Sequence, residues 1–442
     1  MFEYIVFIYY IRSVMIRLLI IFATFFYFYT PELVFLPVSL RVVLGCLGIA
    51  YFITEQTTKL LKYNADKTIN VGLIKICLSF LVIIVASFVF GILNGVFDGA
   101  FVNGLFVKIL MLFGASYLIF SFLKWVRIEV SPHTPLNLII TVTTIQCLVS
   151  LMMFASPPIK QFFDSIVKVS DNPTMLNLLS KNVTSYRILG FGTSFFGAGL
   201  EVTFSLLTIV ALIRGGGAIS KLTFWWYVIA FIVNTSVGVL MARTTFIGLG
   251  ISLAFLFYPF HKSELAKQFS KIMLLILGVM VVFVLFNLSN PKYGALMFAF
   301  EALINLQSGN GLTTDSSEDL KTMYLWPDEL RTYLLGNGLM NDPINPGQYY
   351  MGTDVGYLRL IYFGGIPFAI LWFWVQLNLL LKTVKNMPNI SSVYLTLSIA
   401  VTFFLLVANG KGLSDYFTHL IFIYCASFFV ITTNENLEVV NG

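Results

Sequence analysis

The sequence predicts an all-α, polytopic integral membrane protein with about twelve transmembrane helices. Three observations carry this. Of 442 residues, 58% are hydrophobic and only 11% charged, whereas about a quarter of a soluble domain is charged; a soluble fold of this size could not hide so much apolar surface. Apolar stretches close to the ~20 residues that cross a bilayer recur from end to end. Lysine and arginine gather in alternate short loops, as the positive-inside rule requires of a multi-pass chain.

In chain order the spans fall near 13–29, 33–54, 71–92, 101–122, 135–155, 193–214, 223–241, 244–260, 271–288, 355–381, 391–409 and 413–433. The N-terminus runs straight into the first span without a short apolar core and small-residue cleavage site, so no cleaved signal peptide is expected. Short loops on one side carry Lys59, Lys62, Lys67, Lys124, Arg127, Arg214, Lys221, Lys262, Lys267, Lys271, Lys382 and Lys385; those on the other carry Arg243 and Lys411. Twelve against two puts the first side, with both termini, in the cytoplasm. The chain reads as a single transmembrane unit, 1–442, with two long outer segments.

The first outer segment, 156–192, opens at Pro157 and sets Ile159, Phe162, Phe163, Ile166 and Val167 on one helical stripe, the pattern of a helix lying on the membrane surface. The second, 289–354, holds the polar loop Ser308–Ser316, then Ser316 and Asp319 at capping-box spacing. Pro327 suits a first helical turn and Gly336 a helix stop, which predicts a short helix 327–335 carrying Arg331. A loop this long with its own helices reads as a functional lid.

Charge on the positive-poor side is the strongest functional signal. Arg41, Arg187, Arg243, Arg331 and Arg359 all map to outer ends of spans or outer loops. A planar fork of permanently charged donors suits phosphate and pyrophosphate. Each arginine also has a plain alternative: Arg243 and Arg187 as snorkelling anchors, Arg331 paired with Asp328 or Glu329, Arg41 and Arg359 in interhelical pairing. Two acids are informative because acids are scarce. Glu201 lies about two turns into the sixth span, where a carboxylate is a functional candidate unless it merely neutralises an arginine or Lys108. Asp354 stands at the mouth of the tenth, where N-capping is the alternative.

Other features are structural. Gly190, Gly192, Gly197 and Gly199 mimic a nucleotide loop, but no strand precedes them and close helix packing is the better reading. Cys46, Cys77, Cys147 and Cys425 lie inside spans without paired spacing and read as small core residues. No His/Cys/Asp set has metal-ligand spacing, so neither metal nor cofactor is expected. The energy for any reaction must arrive within the substrate.

The layout resembles the Wzy-type O-antigen polymerases, in the wider superfamily that includes the O-antigen ligases. The resemblance rests on the many-span chain, the arginine turn Ala242-Arg243-Thr244 (where the family has Ser-Arg-Gly) and one large late outer loop. That loop contains Leu330-Arg-Thr-Tyr-Leu-Leu-Gly-Asn-Gly338, similar to a family segment ending Leu-Gly-x-Gly. Asp354-Val-Gly-Tyr-Leu-Arg-Leu-Ile-Tyr-Phe-Gly-Gly-Ile366 follows, similar to a family His/Asp-x-x-Tyr-Leu…Gly-Ile run. Asp354 in place of the ligase-type histidine favours polymerase over ligase.

The resemblance implies a GT-C-like inner-membrane glycosyltransferase with its site on the periplasmic face. Its donor and acceptor would be undecaprenyl-pyrophosphate-linked oligosaccharides; membrane lipid and a chain-length regulator protein are the further partners, with no nucleic acid. Asp354 would be the base, with Arg243 and Arg331 stabilising the departing pyrophosphate. Arg187, Arg359, Arg41, Tyr357 and Glu201 would help bind it, and Tyr324, Trp326, Tyr349 and Tyr350 would contact sugars. The rivals are an O-antigen ligase acting on lipid A–core and, from another class, a flippase or transporter of lipid-linked oligosaccharides. A flippase needs polar groups along the whole path across the bilayer, whereas here the charges crowd toward one face.

Overall fold

A computed structural model describes residues 2–61, 71–168, 188–192, 195–215, 219–258, 264–287, 294–309, 311, 313–345 and 348–441. Among them the only regular elements are helices, with two isolated β-bridges and no strand. The long helices are α1 (Phe2–Phe28), α2 (Leu40–Leu61), α3 (Val71–Leu93), α4 (Gly99–Trp125) and α5 (Thr134–Ala155). Beyond the short α6 (Pro157–Ile166) come α7 (Phe195–Gly215), α8 (Lys221–Met241), α9 (Thr244–Phe257) and α10 (Glu264–Asn287). Four short helices follow: α11 (Gly294–Ala299), α12 (Glu301–Gln307), α13 (Asp315–Thr322) and α14 (Leu330–Leu335). The bundle closes with α15 (Gly356–Asn386), α16 (Ser391–Ala408) and α17 (Phe417–Asn441).

Each of the twelve apolar stretches contains a helix among the described residues, and the chain has the character of an all-α membrane protein. Among the described residues, α4, α5, α7, α8, α15 and the helix ending at Ala408 are long and apolar enough to cross a bilayer, with shorter apolar segments at 14–28, 78–93, 244–257 and 417–430. Their outward side chains are apolar, including Ile92, Leu222 and Ile370; that is stable against hydrocarbon and costly against water. Small residues set the closest crossings. A Cβ on Gly48 would overlap the Gly114 backbone, so α2 and α4 meet main chain to main chain.

The alternation of loops is visible in the contacts. The ends of α3, α8 and α16 gather with the segment of short helices α11–α14: Asn94 bonds the Leu335 carbonyl, Arg243 pairs with Glu301, and the Tyr324 hydroxyl donates to the Gly410 carbonyl. At the opposite end Ser392 bonds the Gly215 carbonyl and Tyr394 that of Pro132. We expect single cysteines at Ser308 and Lys62, in a protein with its native cysteines replaced, to label oppositely with an impermeant thiol reagent, Ser308 from outside. Equal labelling from outside would overturn the orientation.

Three boundaries differ from the sequence reading. The second helix begins at Leu40, not 33, because Pro37 disfavours helix in the residue before it; Leu33 instead bridges Val167. Arg41, about two turns into the stretch 33–54 by sequence, is therefore in the first turn of its helix. The capping box is Thr314 with Ser317, so α13 starts before Ser316. The helix expected over 327–335 starts only at Leu330, although it stops at Gly336 as expected, at φ 66°.

The largest departure lies in α15. A straight helix of 31 residues would be about 46 Å long, well beyond the ~30 Å hydrocarbon core. The chain breaks it at Gly364 (φ −143°, ψ 24°) and Gly365 (φ 70°, ψ −173°), leaving a first section that carries Arg359 and a second, from Ile366, of spanning length. Pro367 has no N–H for the Phe363 carbonyl. The freed carbonyls of Tyr362 and Phe363 accept from Asn337 N–H (2.6 Å) and Gly338 N–H (3.0 Å). Gly336 (φ 66°) passes so close that a Cβ would overlap the Phe363 carbonyl. The Leu-Gly-Asn-Gly and Gly-Gly-Ile segments are thus two halves of one joint: the first satisfies the backbone that the second exposes.

Candidate functional site

The α8–α9 turn fixes Arg243. Ala242 turns extended after α8 (φ −155°, ψ 131°), and α7 lies hard against the turn because Gly199 has no side chain to meet Ala242 and Thr244. The reading of these glycines as packing positions holds here, and again at Gly192, whose φ of 76° and contact with Pro31 leave no room for a Cβ. Arg243, 12% exposed, spends its whole fork on the short helices. Its Nε donates to the Phe298 carbonyl (3.1 Å) and one Nη to Ser316 Oγ (3.1 Å), while the other Nη meets the Glu301 carboxylate. The guanidinium also stacks 4.1 Å from the Phe298 ring centroid. Glu301 in turn accepts the Asp315 N–H (2.8 Å) at the start of α13. Arg243 is therefore no snorkelling anchor; it holds a carboxylate on the floor of a loop.

Beside it is a cavity of about 470 Å³ with Arg243, Thr314, Ser316 and Lys411 in its walls among Phe246 and Leu303. Two cations in an apolar cavity at one end of the bundle suit an anionic head carried on an apolar tail. Lys411 also stands within electrostatic reach of Asp354.

Asp354 is half-buried and receives no hydrogen bond on its carboxylate among the described residues. The N-cap of α15 is Val355 and no side chain caps that helix, so the capping alternative fails. Burial raises the Asp354 pKa above the ordinary carboxylate value, against the opposing pull of Arg359 and Lys411. Arg359 stacks 3.6 Å from the Tyr349 ring centroid, and its buried Nε has no partner. A half-buried carboxylate with a raised pKa, within electrostatic reach of Arg359 and Lys411, is a candidate proton acceptor.

The remaining expected site residues lie elsewhere. Arg41 caps the end of α1 through Nε and Nη on the Tyr27 and Phe28 carbonyls, both 2.7 Å, a structural clamp. Tyr357 gives its hydroxyl to the Leu406 carbonyl and so pins α15 to α16. Glu201 stands 2.9 Å from His419 Nε2, the two not aligned for a hydrogen bond, with His419 stacked on Phe204. Lys108, one suggested partner of Glu201, pairs with Asp415 at 3.3 Å. Arg331 is exposed and donates to Asn94 Oδ1 (2.9 Å), outside the cavity and without pairing to Asp328 or Glu329. Arg187 lies outside the described residues. Of the aromatics expected to meet sugars, Tyr324 bonds the Gly410 carbonyl and Tyr350 accepts from Asn337.

Sequence reasoning missed Glu301, Lys411 and the scaffold residues Asp98 and Asn409. Lys411 carried the same signal as Arg243, a lone cation on the positive-poor side. Asp98 caps α4 through the Phe101 N–H and accepts the Met340 and Asn341 N–H groups at 3.0 Å each, tying the long loop to the bundle. No family model, curated protein or solved structure matches the chain.

Proposed function

We propose that the protein is an O-antigen polymerase of the bacterial inner membrane, extending lipid-linked glycans at the periplasmic face. The single observation that carries this reading is the apolar-walled cavity with Arg243 and Lys411 in its lining and the half-buried Asp354 within electrostatic reach of Lys411. The resemblance of the Ala242–Thr244 turn and the Leu330–Ile366 segment supplies the reaction class.

In this reading the acceptor hydroxyl of one undecaprenyl-pyrophosphate-linked repeat unit gives its proton to Asp354. Its oxygen attacks the anomeric carbon of the donor sugar from the face opposite the pyrophosphate. The bond from that carbon to the phosphate oxygen breaks, and undecaprenyl pyrophosphate leaves with the electron pair. The configuration inverts once. Lys411, and Arg243 once a phosphate oxygen displaces Glu301 from its fork, stabilise the charge that grows on the leaving group, which counts most where water is excluded. Arg359 holds Asp354 ionised until it takes the proton.

The test is purified protein with a single lipid-linked repeat unit. A ladder of products is expected. Substrate left intact until lipid A–core is added would replace polymerase with ligase, and intact substrate in both arms would remove the transferase reading.

A further inference from the structure

Helix α14 is short, lies in the outer segment and would ordinarily be placed in water, yet it exposes two leucines. Leu330 is 74% exposed and Leu334 54% exposed, one turn apart on the same face. The helix sits across the ends of two bundle helices. Asn94, just past α3, holds Arg331 and the Leu335 carbonyl. At the α15 break, Gly365 lies so close to the Tyr333 and Leu334 carbonyls that neither chain leaves room for a side chain. Both neighbours present apolar side chains outward from that point: Ile92 on α3, and Ile366 and Ile370 on α15, the last in the section long enough to span. Leu330 and Leu334 therefore continue the lipid-facing surface of the bundle and do not form an island in an aqueous loop.

We propose that α14 is embedded at the bilayer boundary, with Leu330 and Leu334 among the acyl chains and Arg331 at the level of the lipid phosphates. A helix in that position buries its apolar face while a long basic side chain reaches the headgroups. Its backbone is provided for: Gly336 ends the helix, and the next two N–H groups go to the Tyr362 and Phe363 carbonyls, which lowers the cost of placing this turn in an apolar setting. The occupant of this face is the surrounding bilayer, and Arg331, outside the cation cavity and bonded to Asn94, faces its phosphates. This proposal does not depend on the reaction proposed above.

The test places an environment-sensitive fluorophore on Leu334→Cys, or on Leu330→Cys should the first variant fail to fold. The protein has its native cysteines replaced and is reconstituted in phosphatidylglycerol–phosphatidylethanolamine vesicles containing nitroxide lipids of graded depth. Ile370→Cys marks the hydrocarbon and Ser308→Cys the aqueous loop. The α14 label is expected to be quenched by shallow nitroxide lipids several-fold more than the Ser308 label and to be shielded from iodide. Behaviour matching the Ser308 label, with iodide quenching and no nitroxide quenching, would overturn the proposal whatever the protein catalyses.

Discussion

Arg243→Lys is expected to lower chain extension by roughly a hundredfold or more, the scale of losing one fixed donor at a developing anion, at normal protein level. Lysine keeps the charge but not the fork. Because Arg243 also clamps Phe298, Ser316 and Glu301, that loss alone does not separate substrate binding from loop support. Glu301→Gln does. The carboxylate stands where a phosphate oxygen would compete for the same guanidinium. If Arg243 serves the substrate, removing the acid's charge leaves extension intact or raises apparent affinity for the lipid-linked donor. If Arg243 only supports the loop, Glu301→Gln breaks the same support and activity falls as far as in Arg243→Lys. Extension assays on both single variants and the double variant read the difference, since contacting residues give a measurable coupling.

The bundle was legible because one physical fact dominates it. Backbone groups in hydrocarbon must pair within their own helix, so hydropathy alone located twelve helices, and lysine counts predicted which loops share an end. The short helices of the long loop were legible only where a residue type forces a conformation, as Gly336 does at φ 66°. The capping box shifted because Thr314 and Ser316 are equally good caps in isolation, and tertiary bonds from Glu301 and Arg243 decide between them. The break in α15 left a plain signature in Gly364-Gly365-Ile-Pro367, but within an apolar run it reads as an uninterrupted span. The same limit applies to the site. Rarity of charge picked out Arg243, Arg359 and Asp354, which the structure places at one end of the bundle. Rarity cannot say which groups are already spent. Arg41 bonds two carbonyls and Tyr357 a third, and pairings across hundreds of residues are invisible to local spacing.

Asp354→Asn is expected to insert and fold normally while losing chain extension by about two to four orders of magnitude, the usual worth of a positioned general base. The structure separates that loss from any structural one. Asp354 does not cap α15, since Val355 occupies the N-cap and no side chain bonds there. The sign of its pKa shift points the same way. A carboxylate whose folded pKa is raised binds its proton more tightly folded than unfolded, so its contribution to stability is fully present below the unfolded value and is lost as pH rises through the folded one. At a pH above both, the ionised group is a net cost that Asn removes, and thermal stability there should be unchanged or slightly higher. Activity follows the opposite course. The base must be ionised, so extension by the native protein should fall on acidification through a pKa raised from the ordinary aspartate value. The residual activity of the Asn variant should lack that acidic limb. An Asn variant extending chains at close to the native rate, with the same acidic limb, would assign the limb to another group. Glu201 beside His419 would then be the carboxylate to replace next.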